Sequence, residues 1–570
     1  MTNNFVEYLN TLHNYKAQNP NAYGEKNVQN PFYKEVIVRV GMVDYICEKI
    51  RSEDPQTIIL TGHAGDGKTS ILYQVLEDLN KDYYEANKSN LTSQKSYSYN
   101  VNTNNKECYC IKDFSEFSDE EKISELRTSL EAPKNNKFSF IVANTGPLIN
   151  TFGKLFDSSD AENYKMKLID AMDNNTGEII DIAQYKICVI NIATIDNTYF
   201  ASEYIKNIIS EKLWEPCKNC SKCEYCHIYM NRNLIYNNIE RVRDFITKHY
   251  IWLTEHGKRL TIRSMAEQLS FMLTGGEKCL DSEKCVDINK TQKYKYLFSN
   301  LFFGYRGINV DPQALRILSV KEANNCAYYS KRLRADEKLF IEEDYSVFSQ
   351  EVRDIIKEFK NNISQNKNLY GEWMDFLRRT YLMLNIITDE KNIREDWEDA
   401  FSKQFHRFCE LRGGATISGY DHNLIREALS MIYLGNIGNQ NDLFLTLSHK
   451  SGITQNVQLI TGYEKFSRIK LLSVDSKDSF FNKNIKKSKL LISVNGQVLD
   501  CEISLPLVNY FEELRNGIIS TDIDPQLSHG VESIKAQLNS ICGGYENFGM
   551  IIDGKDNIDL RIEDEKILVE

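Results

Sequence analysis

The stretch TIILTGHAGDGKTSILYQVLEDL, residues 57–79, decides the fold of this chain. Residues 57–60 are a short apolar run typical of a buried strand, and the apolar residues between 71 and 79 recur at helical spacing. Between them, GHAGDGKT at residues 62–69 matches the pattern G-x-x-x-x-G-K-[ST]. A strand, a glycine-rich turn and a helix start in this order predict a phosphate-binding loop within an α/β P-loop NTPase core.

The chemistry of such a loop comes from its backbone and from a few side chains. Glycines let backbone N–H groups approach phosphate oxygens, and the N-terminus of a helix favours negative charge. Lys68 is expected to reach the β- and γ-phosphates, and Thr69 to bind Mg²⁺. The sequence therefore predicts ATP and Mg²⁺ as cofactors and ATP hydrolysis as the activity. The predicted nucleotide-binding residues are Gly62, Gly65, Asp66, Gly67, Lys68, Thr69 and Ser70.

A second strand delivers a carboxylate that suits the magnesium ion. Residues 108–111 are a strand-like run, and Lys112 and Asp113 follow directly. An Asp at the end of an apolar strand beside the loop helps to hold Mg²⁺ in P-loop ATPases, so we predict this role for Asp113. Phe114 stands where a catalytic Glu usually follows, and Glu116 is our candidate to orient the attacking water. The alternatives are a turn residue for Asp113 and a solvated surface acid for Glu116.

Further strands follow at residues 138–143 and 187–192, with helical patterns between them. Strands that alternate with helices predict a parallel sheet covered by helices on both faces. Asn144 comes at the tip of the first of these strands, where a polar side chain can contact the γ-phosphate or water. In type and order it resembles the sensor-1 residue of AAA+ ATPases, and the alternative is a plain turn residue.

The positions of the arginines can also be compared with those in AAA+ ATPases. Arg263 lies at the start of an amphipathic helical stretch and resembles a sensor-2 arginine on a helical lid; the alternative is an ordinary arginine of a helix start. AAA+ ATPases usually carry an arginine finger soon after sensor 1, but here no Arg occurs between Arg127 and Arg232. Either Lys replaces it, or the oligomer does not hydrolyse in that way, or the finger is one of Arg232, Arg241 and Arg243.

A compact run of cysteines, EPCKNCSKCEYCHIYMN, forms the other strong local pattern. Four thiolates this close repel one another unless a metal compensates, and sets of four sulfur ligands suit Zn²⁺ or an iron–sulfur cluster. The spacing matches neither the ferredoxin pattern nor separated zinc knuckles, so structural zinc is the first expectation, with an iron–sulfur cluster or reduced thiols as alternatives. Cys279 and Cys285 are possible further ligands. The predicted zinc ligands are Cys217, Cys220, Cys223 and Cys226.

Length and composition limit the remaining choices. At roughly 100–200 residues per domain, a chain of 570 residues predicts three or four domains. The formal net charge is −11, and no long basic tail indicates nucleic acid. The 14 cysteines occur without a signal peptide, and no run of about 18 apolar residues could span a membrane, so we expect a cytoplasmic protein with reduced thiols.

The pattern along the chain predicts an AAA+-like P-loop NTPase core with a parallel sheet, a mainly helical region and a C-terminal α+β module. Residues 1–36 are an N-terminal segment, and residues 37–215 form the ATPase core. Residues 216–230 are the cysteine insertion, residues 231–450 the helical lid and helical region, and residues 451–570 the C-terminal module.

Over residues 35–275 the chain resembles the DptF family. The resemblance rests on LTGHAGDGKTS, IKDFSE, VANTG, the cysteine insertion and TIRSMAEQL, in that order. DptF proteins are ATPase components of bacterial restriction systems that depend on DNA phosphorothioation. The resemblance implies a defence complex with companion proteins, acting on DNA that lacks the sulfur modification. It also implies nucleotide binding by residues 65–70 and magnesium binding by Asp113.

Two functional classes therefore compete. The first is a DNA-defence ATPase that couples nucleotide state to recognition or movement of DNA through the complex, with any nuclease activity supplied by a partner. The second is a nucleotide-switched signalling or scaffold ATPase, AAA+-like or STAND-like, without direct DNA contact. The acidic balance favours the second and the family resemblance the first. In both classes a homo-oligomer is possible and no membrane is involved.

Overall fold

The computed structural model describes residues 3–15, 27–52, 54–101, 106–156, 159–279, 292–326, 328–363, 369–386, 390–437, 441–447, 457–475, 488–518, 524–543, 548–552, 556–563 and 566–569. These residues belong to two compact units. One lies within Met1–Asp389, and the other within Glu390–Ser479 and Lys486–Glu570. The division falls inside the predicted helical region.

A six-stranded sheet organises the first unit. Its strands are β1 (Thr57–Gly62), β2 (Ser96–Val101), β3 (Lys106–Ile111), β4 (Phe138–Asn144), β5 (Ile179–Ile182) and β6 (Tyr185–Asn191). They lie in the order β2-β3-β4-β1-β6-β5. The four central strands are parallel, whereas β2 and β5 run antiparallel at the two edges. This confirms the predicted α/β core and adds two antiparallel edge strands to it.

Helices cover both faces of this sheet. The helices up to residue 208 are α1 (Asn4–Thr11), α2 (Tyr33–Val36), α3 (Gly41–Ser52), α4 (Lys68–Leu79), α5 (Lys81–Ser93), α6 (Asp119–Glu131), α7 (Thr145–Gly153), α8 (Ala161–Asn174) and α9 (Thr198–Ile208). Successive side chains of a strand point to opposite faces. Ile58 and Leu60 of β1 accordingly pack in one buried cluster with α3, α4 and α5, and Ile59 packs in a second cluster with α6, α7 and α8. β1 is buried along its whole length, and burial on both faces explains the continuous apolar run Ile58–Leu60 at its centre.

The rest of the first unit is mainly helical. It comprises α10 (Glu211–Lys218), α11 (His227–Asn237), α12 (Ile239–Glu255), α13 (Ile262–Thr274), α14 (Phe298–Leu301), α15 (Leu318–Asn325), α16 (Gln350–Ile363), α17 (Tyr370–Leu384) and a hairpin of β7 (Tyr305–Arg306) and β8 (Asn309–Val310). The Thr261 hydroxyl caps α13 by accepting from the Ser264 N–H at 3.3 Å. α13 packs against both α1 and α9. This helix therefore joins the N-terminal segment to the sheet-bearing part.

The second unit combines helices with two small antiparallel sheets. Its helices are α18 (Glu390–Ala400), α19 (Phe405–Arg412), α20 (Gly419–Leu434), α21 (Leu505–Arg515) and α22 (Pro525–Cys542). Its strands are β9 (Asp442–Thr446), β10 (Val457–Lys465), β11 (Ile469–Asp475), β12 (Ser488–Val494), β13 (Gln497–Glu502), β14 (Phe548–Ile552), β15 (Asp556–Glu563) and β16 (Lys566–Val569). The sheets have the orders β16-β15-β14-β10-β9 and β11-β12-β13. Strands β10 to β16 and helices α21 and α22 lie within residues 451–570, where the sequence predicts an α+β module.

Across the part of the chain described, no helix combines the length and the apolar character needed to cross a lipid bilayer.

Candidate functional site

The glycine-rich loop connects β1 to α4 and bends where only glycine fits. Gly65 and Gly67 have φ values of +92° and +86°, and Gly67 is the N-cap of α4. At Gly62 a Cβ atom would lie 2.6 Å from Cγ1 of Ile192. The loop thus wraps closely around the start of α4, and its glycines place no side chains of their own there. This is the backbone cradle that an anionic group needs, so the residues fit a bound phosphate.

Lys68 is the first residue of α4, and its side chain lies along the loop. Its Nζ donates to the carbonyl oxygens of Gly62 at 3.0 Å and His63 at 2.7 Å, and to Oδ1 of Asn144 at 2.9 Å. Burial lowers the pKa of Lys68 from its ordinary value. The parallel pairing of β1 with β4 produces this contact, because it places Asn144 directly beside Gly62.

Asp113 and Glu116 come from the end of β3, with β4 between that strand and β1. Asp113 starts a short 3-10 turn, and its Oδ1 accepts from the N–H and the hydroxyl of Ser115 at 2.9 and 2.6 Å. Glu116 ends the turn and pairs with the buried Lys112 at 3.5 Å. Lys112 also donates to the Thr92 carbonyl at 3.0 Å. Both predicted acids are therefore held in place by local contacts.

Arg263 approaches from α13 rather than from the sheet. Its backbone N–H donates to the Gly65 carbonyl at 3.1 Å, so the first turn of α13 contacts the loop directly. A Cβ at Gly65 would lie 2.9 Å from the Thr261 hydroxyl. Two helix N-termini, those of α4 and α13, therefore meet at the loop. Each contributes positive potential to the space between them.

Asp66 has a structural partner that the sequence did not indicate. Its side chain is 1 % exposed and pairs with Nη1 of Arg259 at 3.1 Å. Nη2 of Arg259 donates to the Ile192 carbonyl at 3.0 Å, and Asp66 also accepts from the His63 N–H at 3.1 Å. Arg259 therefore fastens the loop to the chain that follows β6. The two residues are 193 positions apart, and no local pattern marks their pairing.

Most of the predicted site residues surround one cavity of about 760 Å³. Such a volume is within the range of ligand pockets, roughly 300–1,000 Å³. Gly62 and Asp66 are not among the lining residues. The predicted residues that line the cavity are Gly65, Gly67, Lys68, Thr69, Ser70, Asp113, Glu116, Asn144 and Arg263. The hydroxyl of Thr69 and the carboxylate of Asp113 are hard oxygen donors, so this set fits Mg²⁺.

The cavity has a second part that the sequence did not predict. We call it the aromatic side, formed by Tyr8, Leu12, Asn27, Tyr33, Val36, Ile37, Val38, Val40, Phe200 and Tyr204. The side-chain amide of Asn207 in α9 donates to the carbonyls of Val36 and Ile37 at 3.4 and 3.2 Å and so fixes the segment after α2. Residues 1–36 thus contribute directly to the cavity.

The three arginines considered as fingers are all engaged within their own chain, and none lines the cavity. Arg232 is buried and donates to the Ile209 carbonyl at 3.0 Å. Arg241 donates to the Leu382 carbonyl at 3.1 Å, and Arg243 pairs with Glu203.

The cysteine segment, residues 217–227, runs from the end of α10 to the start of α11. Backbone N–H groups of Cys220, Cys223 and Cys226 each donate to the carbonyl three residues earlier, so the four cysteines follow one another in successive tight turns. Burial raises the pKa of Cys217 and Cys226, and the Asn3 amide donates to the Cys217 sulfur at 3.3 Å. Cys285 lies outside the described residues.

Among the described residues, no set of three or more His, Cys, Asp and Glu side chains is arranged to hold a metal ion. The soft thiol donors suit zinc, but their arrangement does not form a zinc site. Structural zinc therefore stays a prediction.

Comparisons with protein-family models, curated proteins and solved structures found no match to this chain.

Proposed function

We propose that this chain is an AAA+-like P-loop ATPase that binds ATP with Mg²⁺ and serves a bacterial DNA-defence complex. One observation carries the nucleotide part: the glycine-rich loop, Lys68, Asp113, Asn144 and Arg263 converge on a single cavity. In α/β sheets, ligands bind beyond the carboxyl ends of the strands, where the strand order reverses. The loop after β1 stands at such a point, because the chain continues from β1 to β2, β3 and β4 on one side of it and then crosses to β5 and β6 on the other.

Each lining residue has a role that its position supports. The backbone of residues 65–70 surrounds the phosphates, and Lys68 exchanges its present carbonyl partners for phosphate oxygens. Thr69 and Asp113 would hold Mg²⁺, which would supply positive charge to offset that of the phosphates. Asn144 and Arg263 contact the γ-phosphate from two directions, and Glu116 orients the attacking water after turning from Lys112. Catalysis of this kind is mostly positioning and electrostatics.

The defence role rests on the resemblance to DptF over residues 35–275. Companion proteins, and DNA reached through them, are the partners that it implies, in the cytoplasm of a bacterium and with a possible homo-oligomer as the working form. The formal charge of −11 supports a second candidate, a nucleotide-switched signalling or scaffold ATPase that contacts no DNA.

Turnover measurements separate the two candidates. The purified chain is assayed for ATP hydrolysis alone, with candidate companion proteins recovered by pull-down, and with unmodified or phosphorothioated DNA. DNA-dependent stimulation in the presence of companions supports the defence role. Turnover that responds to companions but never to DNA supports the switch. Absence of Mg-ATP binding under all conditions rejects both.

A further inference from the structure

Three buried polar atoms on the aromatic side of the cavity have no hydrogen-bond partner among the residues that the structure describes. They are Oη of Tyr8, Oδ1 of Asn27 and Oη of Tyr33. All three residues line the cavity, and Tyr8 is only 3 % exposed. A buried polar group left unsatisfied destabilises the folded protein, so three of them around one cavity indicate a ligand that satisfies them.

These atoms are neighbours of other polar groups without bonding to them. Asn27 lies beside Tyr8, and Ser70 lies beside Tyr33, yet neither hydroxyl completes a hydrogen bond. Burial raises the pKa of both tyrosines above the ordinary value, so their hydroxyls stay protonated and can donate at neutral pH. The carboxamide oxygen of Asn27 can only accept. The aromatic side thus offers an unused donor next to an unused acceptor.

The surroundings of these atoms are flat and apolar. The rings of Phe200 and Tyr204 are 5.3 Å apart with an interplanar angle of 20°, and Val36 and Val38 line the same part of the cavity. A ligand that fits here needs apolar faces and a polar edge. Among the parts of a nucleotide, the base has this chemistry, whereas the phosphates and the ribose do not.

The aromatic side is also continuous with the glycine-rich loop. Tyr33 lies beside Ser70, which comes two residues after Lys68 in the first turn of α4. Both residues line the same cavity. One molecule can therefore place its phosphates at Lys68 and its base at Tyr8 and Asn27.

We propose that Tyr8 and Asn27 bind the polar edge of the nucleobase, so that the N-terminal segment of this chain selects the nucleotide. The Tyr8 hydroxyl donates to a ring nitrogen or carbonyl of the base, and Asn27 Oδ1 accepts from the adjacent N–H group. Adenine presents this pair as N1 and the 6-amino group, and guanine presents it as O6 and N1–H. The inference rests on the proposed function, because it requires the phosphates to occupy the loop.

The test compares ligands with and without a base. The dissociation constants of Mg-ATP, Mg-GTP and Mg-tripolyphosphate are measured by calorimetry on the full chain and on four variants. Tyr8→Phe and Asn27→Leu remove the proposed contacts, and Lys68→Ala removes the phosphate contact. Tyr97→Phe is the matched control, because the Tyr97 hydroxyl is also buried and has no hydrogen-bond partner among the described residues, but Tyr97 does not line the cavity. Thermal unfolding verifies that each variant is folded.

We expect Tyr8→Phe and Asn27→Leu each to weaken binding of the preferred nucleotide about tenfold and to leave tripolyphosphate binding unchanged. Tyr97→Phe should change neither. Whichever of ATP and GTP binds more tightly identifies the base, and the variants should reduce that preference. Unchanged nucleotide affinity in both folded variants overturns the inference. If Lys68→Ala also leaves every affinity unchanged, the proposed function fails with it; if only Lys68→Ala has an effect, the proposed function survives alone.

Discussion

The glycine-rich loop and the cysteine segment are the two strongest local patterns in this sequence, and the structure treats them differently. In the loop, the glycines have positive φ values, Lys68 donates to the Gly62 carbonyl, and Arg259 forms a long-range ion pair with Asp66. The four cysteines follow one another in tight turns, but the described residues form no group able to hold a metal.

The difference has a physical cause. A phosphate-binding loop acts through backbone geometry, and in this chain packing against Ile192, Thr261 and Arg259 can fix the geometry of the glycine-rich loop without a ligand. A thiolate site gains nothing from bringing its sulfurs together until a metal offsets their repulsion, so metal binding and local folding are coupled. A phosphate loop can therefore be preformed, whereas a cysteine site is organised by its ion.

The largest expected effect is at Lys68. Lys68→Ala removes the cation that neutralises phosphate charge, so we expect turnover of ATP to fall about 1,000-fold while the fold is retained. Steady-state hydrolysis and calorimetric ATP binding measure the effect. Lys34→Ala is the control, because Lys34 is an exposed lysine paired with Glu77 and Glu85. Normal ATP affinity in Lys68→Ala would refute a preformed phosphate loop.

The metal content of the purified protein tests the prediction made for the cysteine segment. We expect about one equivalent of zinc in the purified protein and its loss in Cys217→Ser and Cys226→Ser, because a tetrahedral thiolate site needs all four ligands. Elemental analysis measures this, with Cys501→Ser as a control outside the segment. A metal-free wild type, or the absorbance of an iron–sulfur cluster, would contradict the zinc prediction.

The ion pair between Arg259 and Asp66 of the loop should contribute to the stability of the fold. Arg259→Ala leaves the buried carboxylate of Asp66 without its cation, so we expect the free energy of unfolding to fall by about 3 kcal/mol. Arg39→Ala, which breaks only exposed pairs with Asp44 and Asp78, should cost less than about 1 kcal/mol. Urea denaturation compares them. Adding Asp66→Asn to Arg259→Ala should recover part of the loss, and no recovery would argue against an unpaired charge.

The smallest effect is expected at Glu116, whose carboxylate is already shared with Lys112. Glu116→Gln should slow hydrolysis about 100-fold while ATP affinity is retained, because it removes only the group that orients water. Glu120→Gln serves as the control, since Glu120 is an exposed acid in the first turn of α6. Asp113→Ala should instead weaken Mg-dependent binding. Wild-type turnover in Glu116→Gln would make Glu116 a surface acid.

The residues that the sequence predicted lie at positions with a local signal. Asp113 closely follows β3 and Asn144 ends β4, and parallel strands bring their carboxyl ends to one edge of the sheet. Arg263 begins a helix whose apolar spacing is visible in the sequence. The convergence of Asp113 and Asn144 on the loop therefore follows from the α/β pattern, whereas the approach of Arg263 depends on the long-range contact of α13 with Gly65.

The parts that were missed depend on contacts between distant segments. Arg259 bonds to a loop 193 residues away, and Tyr8 reaches the cavity only because α1 packs on α13. No spacing in residues 1–36 indicates that contact. The edge strand β2 did carry a signal, because its buried residues Tyr97, Tyr99 and Val101 alternate with more exposed ones.

Helix α13 is bonded at both ends to different parts of the first unit. At its start, the Arg263 N–H holds the Gly65 carbonyl, and just past its end Arg306 donates to the Gly275 carbonyl at 2.6 Å. Its 13 residues make a rod of about 20 Å, at about 1.5 Å per residue. A shift of the loop must either break the first bond or displace the rod. In the second case, the displacement changes the hydrogen bonds of Arg306 with Tyr15 and Asp311 at the opposite end of the helix.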